Sequence, residues 1–122
     1  MLIDDDEWIR NSLTLFFESE GCYLTAVDTA EEALSKLKKK FYDIIITDYK
    51  LPGINGLEFL KQIQSNTNIH KILITGYGSE KITSRALKLG VEGIILKPFT
   101  TESIEKVLAD LISIDENRNK IN

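Results

Sequence analysis

Four short apolar runs punctuate the chain, and each ends on a side chain capable of chemistry. Met1-Leu2-Ile3 runs into Asp4-Asp5-Asp6, Ile44-Ile45-Ile46-Thr47 into Asp48, Ile72-Leu73-Ile74 into Thr75, and Ile94-Ile95-Leu96 into Lys97. Runs this short, with no polar face, read as strands buried on both sides of a parallel sheet. Ligands of such sheets sit just outside the carboxyl ends of the strands. The pattern predicts one sheet edge carrying three or four carboxylates, a hydroxyl and an ammonium. Such a set can hold a divalent cation and a phosphoryl group.

Helical periods fill the gaps between the runs. Glu7 to Glu20 carries Ile9, Leu13, Phe16 and Phe17 on one face, and Gly21 stops it. A weaker strand is expected over Cys22 to Val27. Thr29-Ala30-Glu31-Glu32 is a capping box that opens a second helix. Asn55 and Glu58 fit a third helix start, after a turn at Leu51-Pro52-Gly53. Glu80 to Leu89 is expected to be helical and closed by Gly90, and a last helix starts near Thr100 with Ile104, Val107, Leu108, Leu111 and Ile112 at three-four spacing. Asp6 reads as the cap of the first helix, Trp8 as packing at its start, and His70 as a loop residue. Five strands alternating with five helices predict one α/β domain, a parallel sheet covered on both faces. Residues 1–115 form that domain, and 116–122 read as a polar tail or the start of a linker.

Composition narrows the function. A net charge of −4 gives no basic patch for direct nucleic-acid binding. No apolar stretch approaches the roughly 18 residues that span a membrane, and the amino terminus lacks a signal-peptide pattern. Cys22 is the only cysteine, which rules out an internal disulfide and a thiolate zinc cluster, and one histidine cannot build a histidine metal site. A reducing cytoplasm is the simplest setting.

These elements together resemble a receiver domain of the two-component response regulators, over essentially the full length. The resemblance rests on Asp4-Asp5-Asp6-Glu7, on Asp43 through Asp48, on Leu51-Pro52-Gly53 with Asn55-Gly56-Leu57-Glu58, on Ile74-Thr75-Gly76, and on Leu96-Lys97-Pro98-Phe99. It implies the flavodoxin-like doubly wound order 2-1-3-4-5. It implies that Asp48 accepts a phosphoryl group from a histidine kinase or phosphotransfer protein. Mg2+ would be held directly by Asp5, Asp48 and the backbone carbonyl of Lys50, with Asp4 acting through a water. Lys97 would contact the phosphoryl oxygens, after a cis bond to Pro98, and Thr75 would hydrogen-bond one of them. By spacing alone, Thr75 reads equally well as a plain strand-end residue. The implied role is a switch that catalyses only its own phosphorylation and hydrolysis, feeding an output domain or protein target, with a homodimer left open.

Departures from the usual pattern set further expectations. Only three residues precede Asp4. Asp48 to Thr75 spans 27 positions, which implies a trimmed loop around Asn66 to His70. Ile94 stands three residues before the lysine, where many receivers carry a switching aromatic, so Ile94 and Val91 are expected to build an apolar contact surface instead. Lys50 and Tyr77 flank the expected path of the hydrolytic water and offer it no carboxylate or amide. Two rivals remain. A small phosphatase with an aspartate nucleophile would carry a second aspartate two residues after it, where this chain has Lys50. A degenerate receiver would act as a phosphorylation-independent interaction module.

Overall fold

A computed structural model describes the backbone of residues 1–76 and 78–121, and the side chains of 1–76 and 78–111. Strands β1 (Leu2–Ile3), β2 (Ala26–Val27), β3 (Ile44–Asp48), β4 (His70–Thr75) and β5 (Gly93–Leu96) form one parallel sheet in the order β2-β1-β3-β4-β5. Helices α1 (Glu7–Ser19), α2 (Ala30–Leu37), α3 (Gly56–Gln62), α4 (Glu80–Lys88) and α5 (Thr101–Ile121) alternate with them. The doubly wound fold with order 2-1-3-4-5 is therefore the one expected.

Alternation along the strands explains why both faces are covered. Leu2, Ile46, Ile72, Ile74 and Ile95 point to one side and pack with Ile9, Leu13 and Phe17 of α1 and Ile104 and Leu111 of α5. Ile3, Ile45 and Leu73 point to the other side, against Ala33 of α2, Leu57, Phe59 and Leu60 of α3 and Ala86 of α4. A side chain such as Phe59, fully buried here, contributes on the order of 2–3 kcal/mol by leaving water. The caps follow the sequence. Asp6 accepts from Trp8 N and Ile9 N, Thr29 from Glu32 N, and Asn55 from Glu58 N. Each such cap contributes about 1 kcal/mol.

Several local expectations are corrected. β2 is confined to Ala26–Val27, because its only neighbour, β1, offers two residues for pairing. His70 belongs to β4 rather than a loop, since its N–H donates to Asp43 O and its Nδ1 lies 2.9 Å from Glu92 Oε1. Trp8 does not pack; it is 74% exposed on the outer side of α1. Val91 is core and does not build the expected contact surface, while Ile94 packs against that core with part of its side chain still exposed. Exposed Leu87 and Leu96 stand in that region. The expected tail over residues 116–122 falls on side chains outside the described residues. No described helix is long and apolar enough to cross a membrane.

Candidate phosphoacceptor site

The carboxyl ends of β1, β3, β4 and β5 open onto one cleft of about 470 Å³. Asp5, Asp48, Lys50, Thr75, Gly76 and Lys97 line it, with Leu51 and Pro52 at one side. Asp48 is the last residue of β3 and Thr75 the last of β4, and both are buried. Parallel register holds them side by side: Asp48 pairs with Ile74, and Tyr49 N donates to Ile74 O at 2.8 Å. Lys97 follows β5 directly. Its N–H donates to Thr75 O at 2.9 Å, and the Lys97–Pro98 bond is cis.

Asp4 lies deeper than the cleft wall and is fully buried. Its N–H donates to Val27 O, its carbonyl accepts from Arg10 Nη1, and its Oδ1 accepts from Asp6 N at 2.9 Å. Its Oδ2 has no hydrogen bond among the described residues, although the Lys97 ammonium lies 3.2 Å away. The charge is near, but the direction is wrong for a bond. Lys97 donates instead to Asp48 Oδ2 at 3.0 Å. Asp5 is exposed at the mouth, and one carboxylate oxygen each from Asp4, Asp5 and Asp48 lie within 4.8 Å of one another.

The electrostatics follow from this crowding. Burial pushes the Asp48 carboxyl above its usual range; the hydrogen bond from Lys97 opposes the rise, and the charges of Asp4 and Asp5 add to it. Burial would lower Lys97, but its hydrogen bond to Asp48 and the charges of Asp4 and Asp48 outweigh burial and hold it above its ordinary value. One ammonium thus pairs with two of three clustered carboxylates. An all-oxygen donor set with one buried oxygen lacking a hydrogen bond suits a small hard divalent cation. The same cleft brings the Thr75 and Lys97 side chains beside Asp48.

Every residue expected at the site lies at this edge. Asp4, Asp5, Asp48 and Lys97 are brought together directly, while Thr75 and Lys50 join them as cleft walls. Tyr77 lies outside the described residues. Two further participants were assigned no site role from sequence. Arg10 reaches back from α1 to the Asp4 carbonyl. Gly56 abuts the Asp48 backbone so closely that a Cβ there would collide with the Asp48 carbonyl oxygen.

Comparison with known proteins agrees with this geometry. The response regulator receiver domain family matches residues 1–109. The chain is similar to the transcriptional regulatory protein FixJ of Bradyrhizobium diazoefficiens, 31% identical over 112 residues, which cover 91% of this chain and 55% of that protein. It is 35% identical over 104 residues to FixJ of Azorhizobium caulinodans, covering 84% of this chain and 49% of that one. The chain thus spans about half the length of these relatives. Among solved structures, a CheY-like receiver domain protein from Methanospirillum hungatei superposes with a TM-score of 0.89 at 28% identity, covering 96% of this chain and 94% of that one. The chemotaxis response regulator CheY4 of Vibrio cholerae gives 0.82 at 26% identity, covering 89% and 93%. Fold, site and similarity converge on one assignment: the chain belongs to the response regulator receiver domain family.

Proposed function

We propose that the domain takes a phosphoryl group from a phosphohistidine of a kinase or phosphotransfer protein onto Asp48. The observation that carries this reading is the position of Asp48, at the floor of the cleft, hydrogen-bonded to Lys97 and within reach of Asp4 and Asp5. A carboxylate is a poor nucleophile toward an anionic phosphate, so placement and charge neutralisation matter more than a base. Asp5, Asp48 and the Lys50 carbonyl, with Asp4 behind them, would hold Mg2+, which would supply positive charge to offset that of the incoming phosphate. An Asp48 oxygen forms the new bond to phosphorus. The bond from phosphorus to the histidine nitrogen breaks, and its electron pair leaves with the imidazole. The Lys97 ammonium neutralises the transferred group, and the Thr75 hydroxyl donates to one of its oxygens. The phosphorylated edge then biases the α4–β5–α5 face toward a second arrangement that an output domain or target reads.

Incubation with acetyl phosphate and Mg2+, followed by intact-mass measurement, tests the reading. The expected result is the mass of one phosphoryl group, lost in Asp48→Asn. Continuous turnover without a stable adduct would identify a phosphatase instead, and no adduct at all would identify an interaction module.

A further inference from the structure

The sheet edge opposite Asp48 carries a feature that phosphoryl transfer does not use. It lies about 13 Å away along β3. Between α2 and β3 the chain runs Lys38-Lys39-Lys40-Phe41-Tyr42, with Lys36 just before it in the last turn of α2. The three consecutive lysines are exposed, and Phe41 is 60% exposed beside them. Across a groove stands Tyr23, 88% exposed. The Lys40 ammonium lies 5.2 Å from the Tyr23 ring centre and 5.7 Å from that of Tyr42, so one cation faces two rings. Grooves flank this ridge on both sides. One of about 440 Å³ is mostly apolar, with Phe17, Leu24, Phe41, Tyr42 and Leu108 in its wall. The other, of about 340 Å³, is lined by Lys38, Lys39 and Lys40 together with Leu37 and Ile69.

Lysines after a helix are ordinary, because they oppose the negative end of its dipole. That accounts for Lys36 and Lys38 but not for Phe41 and Tyr23, which leave large apolar surfaces in water beside them. The sign of the edge is also unusual for this molecule. The whole chain carries −4, yet four of its cations fall within positions 36–40. We infer that this edge is a docking surface for an acidic protein segment bearing one large apolar side chain. The side chain enters the groove between Tyr23 and Phe41, and flanking carboxylates meet Lys38, Lys39 and Lys40. Concavity favours a peptide over a bilayer, since a groove admits a side chain but not a flat lipid surface. The acidic remainder of the domain disfavours nucleic acid, a long polyanion that would run onto it.

The probe is a short synthetic peptide with a central tryptophan flanked by glutamates, titrated into the isotope-labelled domain and followed by amide NMR. Signals of residues 22–24 and 38–44 are expected to move, with affinity on the order of 100 µM and weakening with added salt. Lys39→Glu and Phe41→Ala, both at exposed positions, are each expected to weaken binding about tenfold, a difference of ~1.4 kcal/mol. Both should accept phosphate from acetyl phosphate as the parent protein does, which keeps this test separate from that of the Asp48 reading. Unmoved signals at millimolar peptide overturn the inference. So does equal binding of a peptide with lysines in place of the glutamates. Stronger binding to phosphatidylserine vesicles, or to a single-stranded oligonucleotide, than to the peptide would overturn it in favour of those partners.

Discussion

Opposing forces meet on the Asp48 carboxylate. Burial and the neighbouring charges of Asp4 and Asp5 disfavour its ionised form, while the hydrogen bond from Lys97 favours it. Burial and repulsion win, so the folded protein holds this proton more tightly than the unfolded chain, whose value is near 3.8. The associated stability is fully present below that pH and is lost as pH rises through the higher folded value. Lys97 runs in parallel at the basic end: its contribution is present below 10.5 and lost only as pH rises through its raised folded value. At neutral pH without divalent cation, Asp48→Asn is therefore expected to raise the melting temperature. A gain of about 1 kcal/mol corresponds to roughly 4 °C in a domain this size. Calorimetry in chelator checks it, and the gap should close in acid. A lower melting temperature for the variant at neutral pH would contradict the crowded pocket. The chemical residues were legible in the sequence because each follows an apolar run, a one-dimensional signal. The reach of Lys97 past Asp48 to Asp4 was not legible, since β5 and β1 are not neighbours in the sheet.

Among the elements, α3 presses its first residue against the backbone of the site. Its first residue, Gly56, donates to Tyr49 O at 2.8 Å, and an added Cβ would strike the Asp48 carbonyl oxygen and lie 3.1 Å from Tyr49 Cα. These are backbone atoms that cannot turn aside. Gly56→Ala is expected to cost about 2 kcal/mol in stability and to slow phosphoryl uptake from acetyl phosphate several-fold, because relief requires the Asp48–Tyr49 backbone to shift. Chemical denaturation and intact-mass time courses measure the two effects. A variant with unchanged stability and uptake would show that the contact is accommodated elsewhere. Caps and helix starts were legible because Asp6, Thr29 and Asn55 act on neighbours in sequence. Strand limits were less so. Cys22 to Thr25 have the composition of a strand, but pairing needs a partner, and the parallel register that sets Leu2 against Ala26 places none of β1 opposite them. Trp8 was misplaced for a related reason: burial depends on which helix face meets the sheet, and Ile9 and Leu13 occupy that face instead.

Across the whole molecule, cation binding at the acidic edge is expected to couple to folding. A cation that binds only the folded state with a dissociation constant of about 1 mM adds ~1.4 kcal/mol at about 10 mM, or roughly 5–6 °C in melting temperature. Mg2+ is expected to produce a gain of this size in the parent protein and a smaller one in Asp5→Asn. Melting curves across a magnesium titration measure it, and equal gains in both proteins would remove Asp5 from the cation site. The α/β class was legible in the strict alternation of strand and helix, and the strand order only through the resemblance to receiver domains. The basic aromatic edge was not, because its two halves, Tyr23 and the ridge from Lys38 to Tyr42, are separated in sequence and joined only by the fold.

The ammonium of Lys97 has one more consequence, best put mechanically. The sheet is a beam whose thinnest section is β1, joined to each neighbour through two residue pairs. From the far side of β4, Lys97 spans the upper edge like a tie rod, with its end held between Asp48 and Asp4. Under the proposed phosphorylation, a new anion on Asp48 would draw that rod toward itself and away from Asp4. Arg10 of α1 donates to the Asp4 carbonyl, so the load at that end of the rod would be shared with α1 as well as with the weakest section of the beam.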